Sequence, residues 1–523
     1  MGSRFNEVKN RIRSPNPSEK LNLDNYEPMP VRYQLRYSIL DKIRKGEDPL
    51  PDIDGREKTK RDVTRAVLSC SHIYLVSREG TGKTRLAESL AELLPSVPKI
   101  KDCPYNDDPK WPKYCLCPRC REAENPAEEY GIEHIVGKER YSRIQGNEYT
   151  NEAKILGLKD IQAIAHGESP TDPKIFMGTG ILRGNRGIVC IDELPAIPTK
   201  VQVLFHPILQ ENKIILEEYN WSQPIDVCFI ATGNPSGFAH VNRIPEPLLD
   251  RLELIHMDMP EENIEKQIMF KEKFEVFHNY FNNSHYNVQS HSDTPKIHYE
   301  QLRRNIVVPW WIADVINKTA RYTRKCPNVD KGTSIRGPIK AFDHTCSNVE
   351  IRKGYVAKLR DACYGLKLAL RGRIKLRSDL IDFEGKPQEY FKKNDQIIED
   401  IMWHAIKDST HSMFKDLEHD IQTFNNELNL LILGDMTNLS DSLPHYPEIV
   451  KMMLKLRTIT PQKACQYEAT KALTFNPDNH DKKIVDAYNL SALEMIVNFG
   501  IHKGMIKEAL SIHRFFIPRR ITK

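Results

Sequence analysis

The run Ser77-Arg78-Glu79-Gly80-Thr81-Gly82-Lys83-Thr84 contains the residue types needed to hold a chain of phosphates. In a glycine loop that opens a helix, successive backbone N–H groups and the helix N-terminus surround the β- and γ-phosphates. Lys83 adds a point charge there, and the Thr84 hydroxyl can ligate magnesium. Ser77 stands where the usual pattern has its first glycine, while Gly80 and Gly82 keep the tight turn. Ser77, Gly80, Thr81, Gly82, Lys83 and Thr84 are therefore the expected phosphate-binding residues. Two acids, Asp192-Glu193, close a later apolar run. The aspartate is placed to reach magnesium through water and the glutamate to orient or deprotonate an attacking water. A third apolar run ends Thr232-Gly233-Asn234-Pro235, where Asn234 can polarise the same water. Read singly, these would be acids capping a strand and an asparagine in a turn.

A second group of residues suits a metal. Cys103, Cys115, Cys117 and Cys120 lie within 18 residues, and Cys117-Pro118-Arg119-Cys120 has the C-x-x-C spacing of a zinc knuckle. Four thiolates complete a tetrahedral zinc site that folds an otherwise irregular loop. The single-residue gap between Cys115 and Cys117 strains joint ligation by both. An iron–sulfur cluster and unliganded thiols are the alternatives. His278, His285, His291 and His298, at gaps of seven, six and seven, match no ligand pattern and read as a solvated insertion. Asp408-Ser409-Thr410-His411-Ser412 imitates a metal-dependent adhesion motif but sits in a helical pattern with no apolar strand before it.

The elements that must position these groups are legible as apolar runs. His72-Ile73-Tyr74-Leu75-Val76 leads into the glycine loop, and Ala87, Leu90, Ala91 and Leu94 share one helical face after it: strand, loop, helix. Gly187 to Ile191 and Val227 to Ala231 read as fully buried parallel strands, each ending in polar residues where an α/β sheet places its ligands. Residues 1–55 are polar and proline-punctuated, with one helix expected near Arg32 to Lys45, and read as an arm laid over a neighbour. Residues 56–260 are the expected α/β nucleotide-binding domain, with an irregular cysteine-rich insertion at about 101–150. Residues 261–380 read as a helical domain, and residues 381–523 as a separate all-helical module.

Composition narrows the class. The 523 residues are 40% hydrophobic and 28% charged, with a mean hydropathy of −0.54. No stretch approaches the roughly 20 apolar residues of a membrane span. The N-terminus lacks an apolar signal-peptide core, so a cytoplasmic location is expected. Eleven cysteines are too sparse for a disulfide scaffold. A net charge of +5, from 76 basic and 71 acidic residues, is too weak to argue for nucleic acid. The basic tail Arg514, Arg519, Arg520 and Lys523 reads as a solvated end.

The combination Gly80-Thr81-Gly82-Lys83-Thr84, Arg183-Gly184-Asn185-Arg186-Gly187-Ile188, Asp192-Glu193-Leu194, Thr232-Gly233-Asn234-Pro235 and Leu248-Leu249-Asp250-Arg251 resembles the AAA+ ATPase subunit of magnesium chelatase and its archaeal and bacterial, MoxR-like relatives. The likeness covers residues 56 to 380. It implies an α/β P-loop NTPase core with a parallel sheet and a helical lid; the extra C-terminal helical bundle lies outside it. It further implies ATP hydrolysis with magnesium in a homo-oligomeric ring of six or so subunits. In that ring Arg251 is the expected arginine finger on a neighbour's nucleotide, because a guanidinium supplied across an interface neutralises the charge spread over the transferred phosphoryl oxygens. Arg336, in Thr333-Ser334-Ile335-Arg336-Gly337, matches the sensor-2 position of the lid, acting in its own subunit or in trans. Two insertions of the family are resembled by Leu156 to Ile161 and by a hairpin expected over Lys213 to Asp226. The implied role is a motor that remodels a client or a partner with an adhesion domain of the von Willebrand A type. The competing readings are a nucleic-acid-associated ring related to replicative helicases and a nucleotide-dependent assembly scaffold. Intact Lys83, Asp192, Glu193 and Arg251 argue against the scaffold.

Overall fold

Three of the apolar runs become the middle of one parallel sheet. β1 (His72–Val76), β7 (Gly187–Asp192) and β10 (Val227–Gly233) are covered on both faces, which is why their sequences lack the alternation of a half-exposed strand. β4 (Tyr141–Gln145) and β11 (Leu252–His256) complete a five-stranded sheet in the order β11-β1-β10-β7-β4, with every neighbouring pair parallel. The computed structural model describes residues 23, 26–234, 242–269, 306–380, 387–415, 421–433, 442–458 and 482–505. Residues 1–22, Pro235, the four spaced histidines and the basic tail lie outside them. Two compact units are present, residues 1–260 and 261–523.

In the first unit, helices cover the two faces of the sheet. α1 (Val31–Arg44), α2 (Glu57–Leu68) and α3 (Lys83–Glu92) pack on one face. Val31, Leu35 and Ile39, at helical spacing, are fully buried with Ile73, Leu75, Leu86 and Ile230. Within the stretch 1–55, read as an arm laid over a neighbour, the described residues from Val31 to Ile53 thus contribute to this chain's own core. The helix expected near residues 32–45 is present, but its apolar stripe belongs to this chain's own core. The Val31 amide fixes it further by donating to Asp226 Oδ2 at 2.8 Å.

The stretch 101–150 is also less irregular than expected. β2 (Val97–Ile100) pairs antiparallel with β3 (Ile132–Ile135), so the cysteine loop leaves and returns at one ribbon, and β4 follows. Of the two insertions, Gly157–Lys159 (β5) pairs antiparallel with Phe176–Gly178 (β6). Lys213–Leu216 (β8) and Trp221–Pro224 (β9) form the hairpin expected there.

The second unit is helical: α4 (Trp310–Tyr322), α5 (Arg336–Ile351), α6 (Leu359–Leu370), α7 (Pro387–Phe414), α8 (Ile421–Leu433), α9 (Pro447–Thr458) and α10 (Lys482–His502). A boundary was expected at residue 380, yet Trp311, Val315 and Leu366 share one core with Ile398, Met402, Leu428, Met452 and Leu493. Polar contacts stitch the same elements together. The Trp311 indole donates to Ser491 Oγ at 3.1 Å, the Ser491 hydroxyl donates to the Ala357 carbonyl at 2.9 Å, and the Leu359 amide donates to Glu494 Oε2 at 2.9 Å. Residues 408–412 lie within α7, where Ser409 Oγ donates to Asp314 Oδ2 at 2.7 Å, so this segment is helix packing. Among the described residues, no helix is long and apolar enough to cross a membrane.

Candidate nucleotide-binding site

The sheet order brings the loops after β1, β7 and β10 to one edge, at the carboxyl ends of adjacent parallel strands. The first of these loops wraps tightly because Gly80 (φ +69°) and Gly82 (φ +89°) adopt left-handed conformations that a side chain would strain. Gly82 caps α3, leaving the first N–H groups of that helix available to an anion. Ser77 needs no glycine freedom, since its φ is negative. It is fully buried and acts as a strut, its amide donating to the Gly233 carbonyl at 3.1 Å and its hydroxyl bonded to the Thr81 hydroxyl. Thr81 Oγ1 in turn donates to the Arg78 carbonyl at 3.0 Å.

Lys83 Nζ donates to the Ser77 carbonyl at 2.7 Å, the Arg78 carbonyl at 3.3 Å and Asn234 Oδ1 at 3.2 Å. Burial pushes its ammonium below the usual lysine range, while Asp192, Glu193 and Glu79 pull it back up. These neutral acceptors are what a γ-phosphate would replace. Thr84 Oγ1 donates to Asp192 Oδ2 at 3.4 Å, so the two oxygens suited to magnesium face each other. Glu193 follows in a left-handed conformation (φ +62°) that few side chains adopt.

Two residues complete this cluster that were not singled out from sequence. Thr232, fully buried, donates to Asp192 Oδ1 at 2.6 Å and accepts the Glu193 amide at 3.0 Å, so one hydroxyl fixes both acids. Its signal was present in Thr232-Gly233-Asn234, where only the asparagine was given a role. Arg143 on β4 pairs with Asp192 Oδ2. No sequence signal marked it, because β4 itself was hidden in the stretch read as irregular.

The structure thus gathers Ser77, Thr81, Lys83, Thr84, Asp192, Glu193 and Asn234 at one sheet edge. Arg251 bonds elsewhere, to Gln210 Oε1 and the Pro247 carbonyl on the exposed surface. Arg336 opens α5 in the second unit, exposed, its amide donating to Ser334 Oγ at 3.3 Å.

The cysteine group requires a correction. Cys103, Cys117 and Cys120 converge, but the fourth group beside them is Asp107 and not Cys115. Cys115 ends the short turn Lys113–Cys115, and Leu116 (φ −80°, ψ 153°) is extended. Cys115 is only partly buried and is not among the converging groups, so Cys115 and Cys117 do not share a centre. Burial pushes the Asp107 carboxyl up to about 7, reinforced by Cys103. All described cysteines are free thiols.

Comparison with known proteins agrees with this geometry. Residues 132–252, which contain Asp192, Glu193, Asn234 and Arg251, match the AAA domain of the dynein-related subfamily. The magnesium-chelatase 67 kDa subunit of Heliobacterium mobile is 28% identical over 195 residues, which is 36% of this chain and 28% of that protein. These matches support an AAA+ ATPase domain similar to those of the chelatase and MoxR type. A chloroplastic ChlI-2 subunit of magnesium chelatase from Arabidopsis thaliana is 26% identical over 192 residues, 36% of this chain and 44% of that protein. The ChlI subunit of Euglena gracilis is 23% identical over 362 residues, 66% of this chain and 96% of that one. The chain therefore spans less than half the length of the Heliobacterium and Arabidopsis subunits. A solved complex of the magnesium-chelatase subunits BchI and BchD matches with a TM-score of 0.33 at 16% identity, covering 63% of this chain and 97% of that one. The α/β sheet with a helical C-terminal region is the architecture expected from the sequence, and an AAA+ domain of this kind implies ATP and magnesium as its ligands.

Proposed function

We propose that the protein hydrolyses ATP with magnesium in a ring of its own copies, six or so in number, and uses the resulting movement to remodel a client protein or an adhesion-domain partner. The observation that carries the reading is the meeting of Thr84 with Asp192, and of Lys83 with Asn234, at the same sheet edge. In this reading Ser77 to Thr84 cradle the phosphates and Lys83 turns from loop carbonyls to the γ-phosphate. Thr84 and Asp192 hold magnesium, which when bound neutralises the phosphate oxygens. Glu193 takes the proton of the attacking water while Asn234 orients it. Arg251 serves a neighbouring copy and Arg336 acts as the sensor of the lid. Arg143 pairs with Asp192 and would balance the charge of that carboxylate beside the metal it holds. The cysteine cluster holds a structural zinc ion apart from this chemistry. Phosphate release by Glu193→Gln tests the reading: the variant should bind ATP and lose turnover by about 10² or more. Unchanged turnover would remove Glu193 from its role.

A further inference from the structure

Three thiols and one carboxylate meet inside the loop between β2 and β3. One ligand atom from each of Cys103, Asp107, Cys117 and Cys120 lies within 4.8 Å of the others, and all four residues are buried. The Sγ atoms of Cys103 and Cys117 are 3.9 Å apart. Two thiolates bound at about 2.3 Å to a tetrahedral zinc would be about 3.8 Å apart. The backbone is already arranged for negatively charged sulfur. The Asp107 amide donates to Cys103 Sγ at 3.4 Å and the Cys120 amide to Cys117 Sγ at 3.5 Å. Asp107 supplies the decisive observation. Its side chain is fully buried, Oδ2 accepts the Cys117 amide at 2.7 Å, and Oδ1 has no hydrogen-bond partner. An orphaned carboxylate oxygen beside three sulfurs is costly in an apolar interior, and a cation among them satisfies it.

We propose that Cys103, Asp107, Cys117 and Cys120 bind one zinc ion, and that the ion braces the turn feeding the strand that ends in Asp192. This deepens the zinc reading given above by naming its ligands and its mechanical consequence, and it does not depend on ATP hydrolysis. The residues interleaved with the first two ligands grip that turn. Asn106 Nδ2 donates to the carbonyls of Arg183 and Asn185, both at 3.2 Å, and Asn185 Nδ2 donates to the Tyr105 carbonyl at 2.9 Å. Arg186 donates to the Asn106 carbonyl at 3.0 Å and forms a buried ion pair with Asp108. Gly187, the next residue, begins β7. Fixing residues 103–120 therefore fixes the foot of the strand that presents Asp192 and Glu193.

The test is elemental analysis of the full chain after removal of loosely held metal, with one zinc per chain expected. Cys115→Ser should keep the zinc, while Asp107→Asn and Cys120→Ser should each weaken it tenfold or more. Cobalt exchanged into the wild-type protein needs no variant to fold, and should give the spectrum of a tetrahedral site with three thiolates. Stripping the metal should speed amide exchange at residues 103–120 and 183–186 while P-loop amides stay protected. A chain that binds no zinc, or iron instead, overturns both the ligand set and the zinc reading. Zinc lost in Cys115→Ser but kept in Asp107→Asn overturns the ligand set alone. Unchanged exchange at residues 183–186 overturns the brace.

Discussion

Thr232→Val isolates the hydroxyl that holds both acids of the site. Valine conserves the shape, so no sizeable cavity opens at this fully buried position. Two bonds are lost together: the 2.6 Å bond to Asp192 Oδ1 and the 3.0 Å bond from the Glu193 amide. The first is charge-assisted and worth roughly 1.5–3 kcal/mol, and an amide left without an acceptor costs roughly 1–3 kcal/mol. Partial gain from burying a methyl group offsets this, so a net loss of about 2–3 kcal/mol is expected. For a unit of this size that is about 5–10 °C in Tm. Asp192 keeps Thr84 and Arg143 on its other oxygen, and the loop contacts of Lys83 do not involve Thr232. ATP affinity should therefore change little, whereas kcat should fall about 10- to 100-fold as the backbone that aims Glu193 loosens. Thermal unfolding, nucleotide binding and phosphate release measured on Thr232→Val, with Thr232→Ser as the control that keeps the hydroxyl, decide the matter. Equal kcat in the valine variant and the wild type would refute the claim that Thr232 positions the acids.

Mixing Arg251→Ala with Lys83→Ala subunits should restore some hydrolysis, because interfaces pairing an intact pocket with an intact arginine can form; mixed rings that stay inactive would remove the trans role of Arg251. Deleting residues 381–523 should not release a soluble lid: it strips Ser491 from Trp311 and Glu494 from the Leu359 amide, and aggregation or proteolysis of residues 261–380 is the expected readout. Burial raises the Glu494 carboxyl to about 7, although the Leu359 amide and Lys358 oppose the rise. The folded state then holds a proton that the unfolded chain has released above its ordinary value near 4.3. Stability of the second unit should fall by about 3 kcal/mol as pH rises from about 4.5 to 7, then level off. Glu494→Gln, which still accepts from Leu359, should abolish that slope in denaturant titrations at pH 5 and pH 8.

The parts of the site that sequence reveals are those whose burial leaves an unbroken apolar run. β1, β7 and β10 are covered on both faces, so each announced itself, and with them came the P-loop, Asp192-Glu193 and Asn234 in order. β4 is an edge strand in which only Ile144 is buried, and Tyr-Ser-Arg-Ile-Gln gives neither an apolar run nor alternation, so Arg143 stayed hidden with it. The helices of the second unit were legible from their period, but a helical stripe states only that something covers it. That α10 covers α4 and α6 is settled by Trp311, Ser491 and Glu494, residues some 130 to 180 positions apart, which no local pattern links.

The cysteine loop shows the same limit at a finer scale. Spacing counts sulfurs along the chain, whereas coordination depends on which side of the backbone each residue faces. Cys115 stays outside the cluster although it lies two residues from Cys117, and the return of the loop through the bond between Asp107 Oδ2 and the Cys117 amide brings in a carboxylate that no cysteine count could contain. The same return sets Asn106 and Asp108 against the Arg183–Arg186 turn. The insertion that looked peripheral to the phosphate chemistry is therefore attached to the strand that carries it. Any change that loosens Asp107 should reach Asp192 through the register of β7, without touching the P-loop itself.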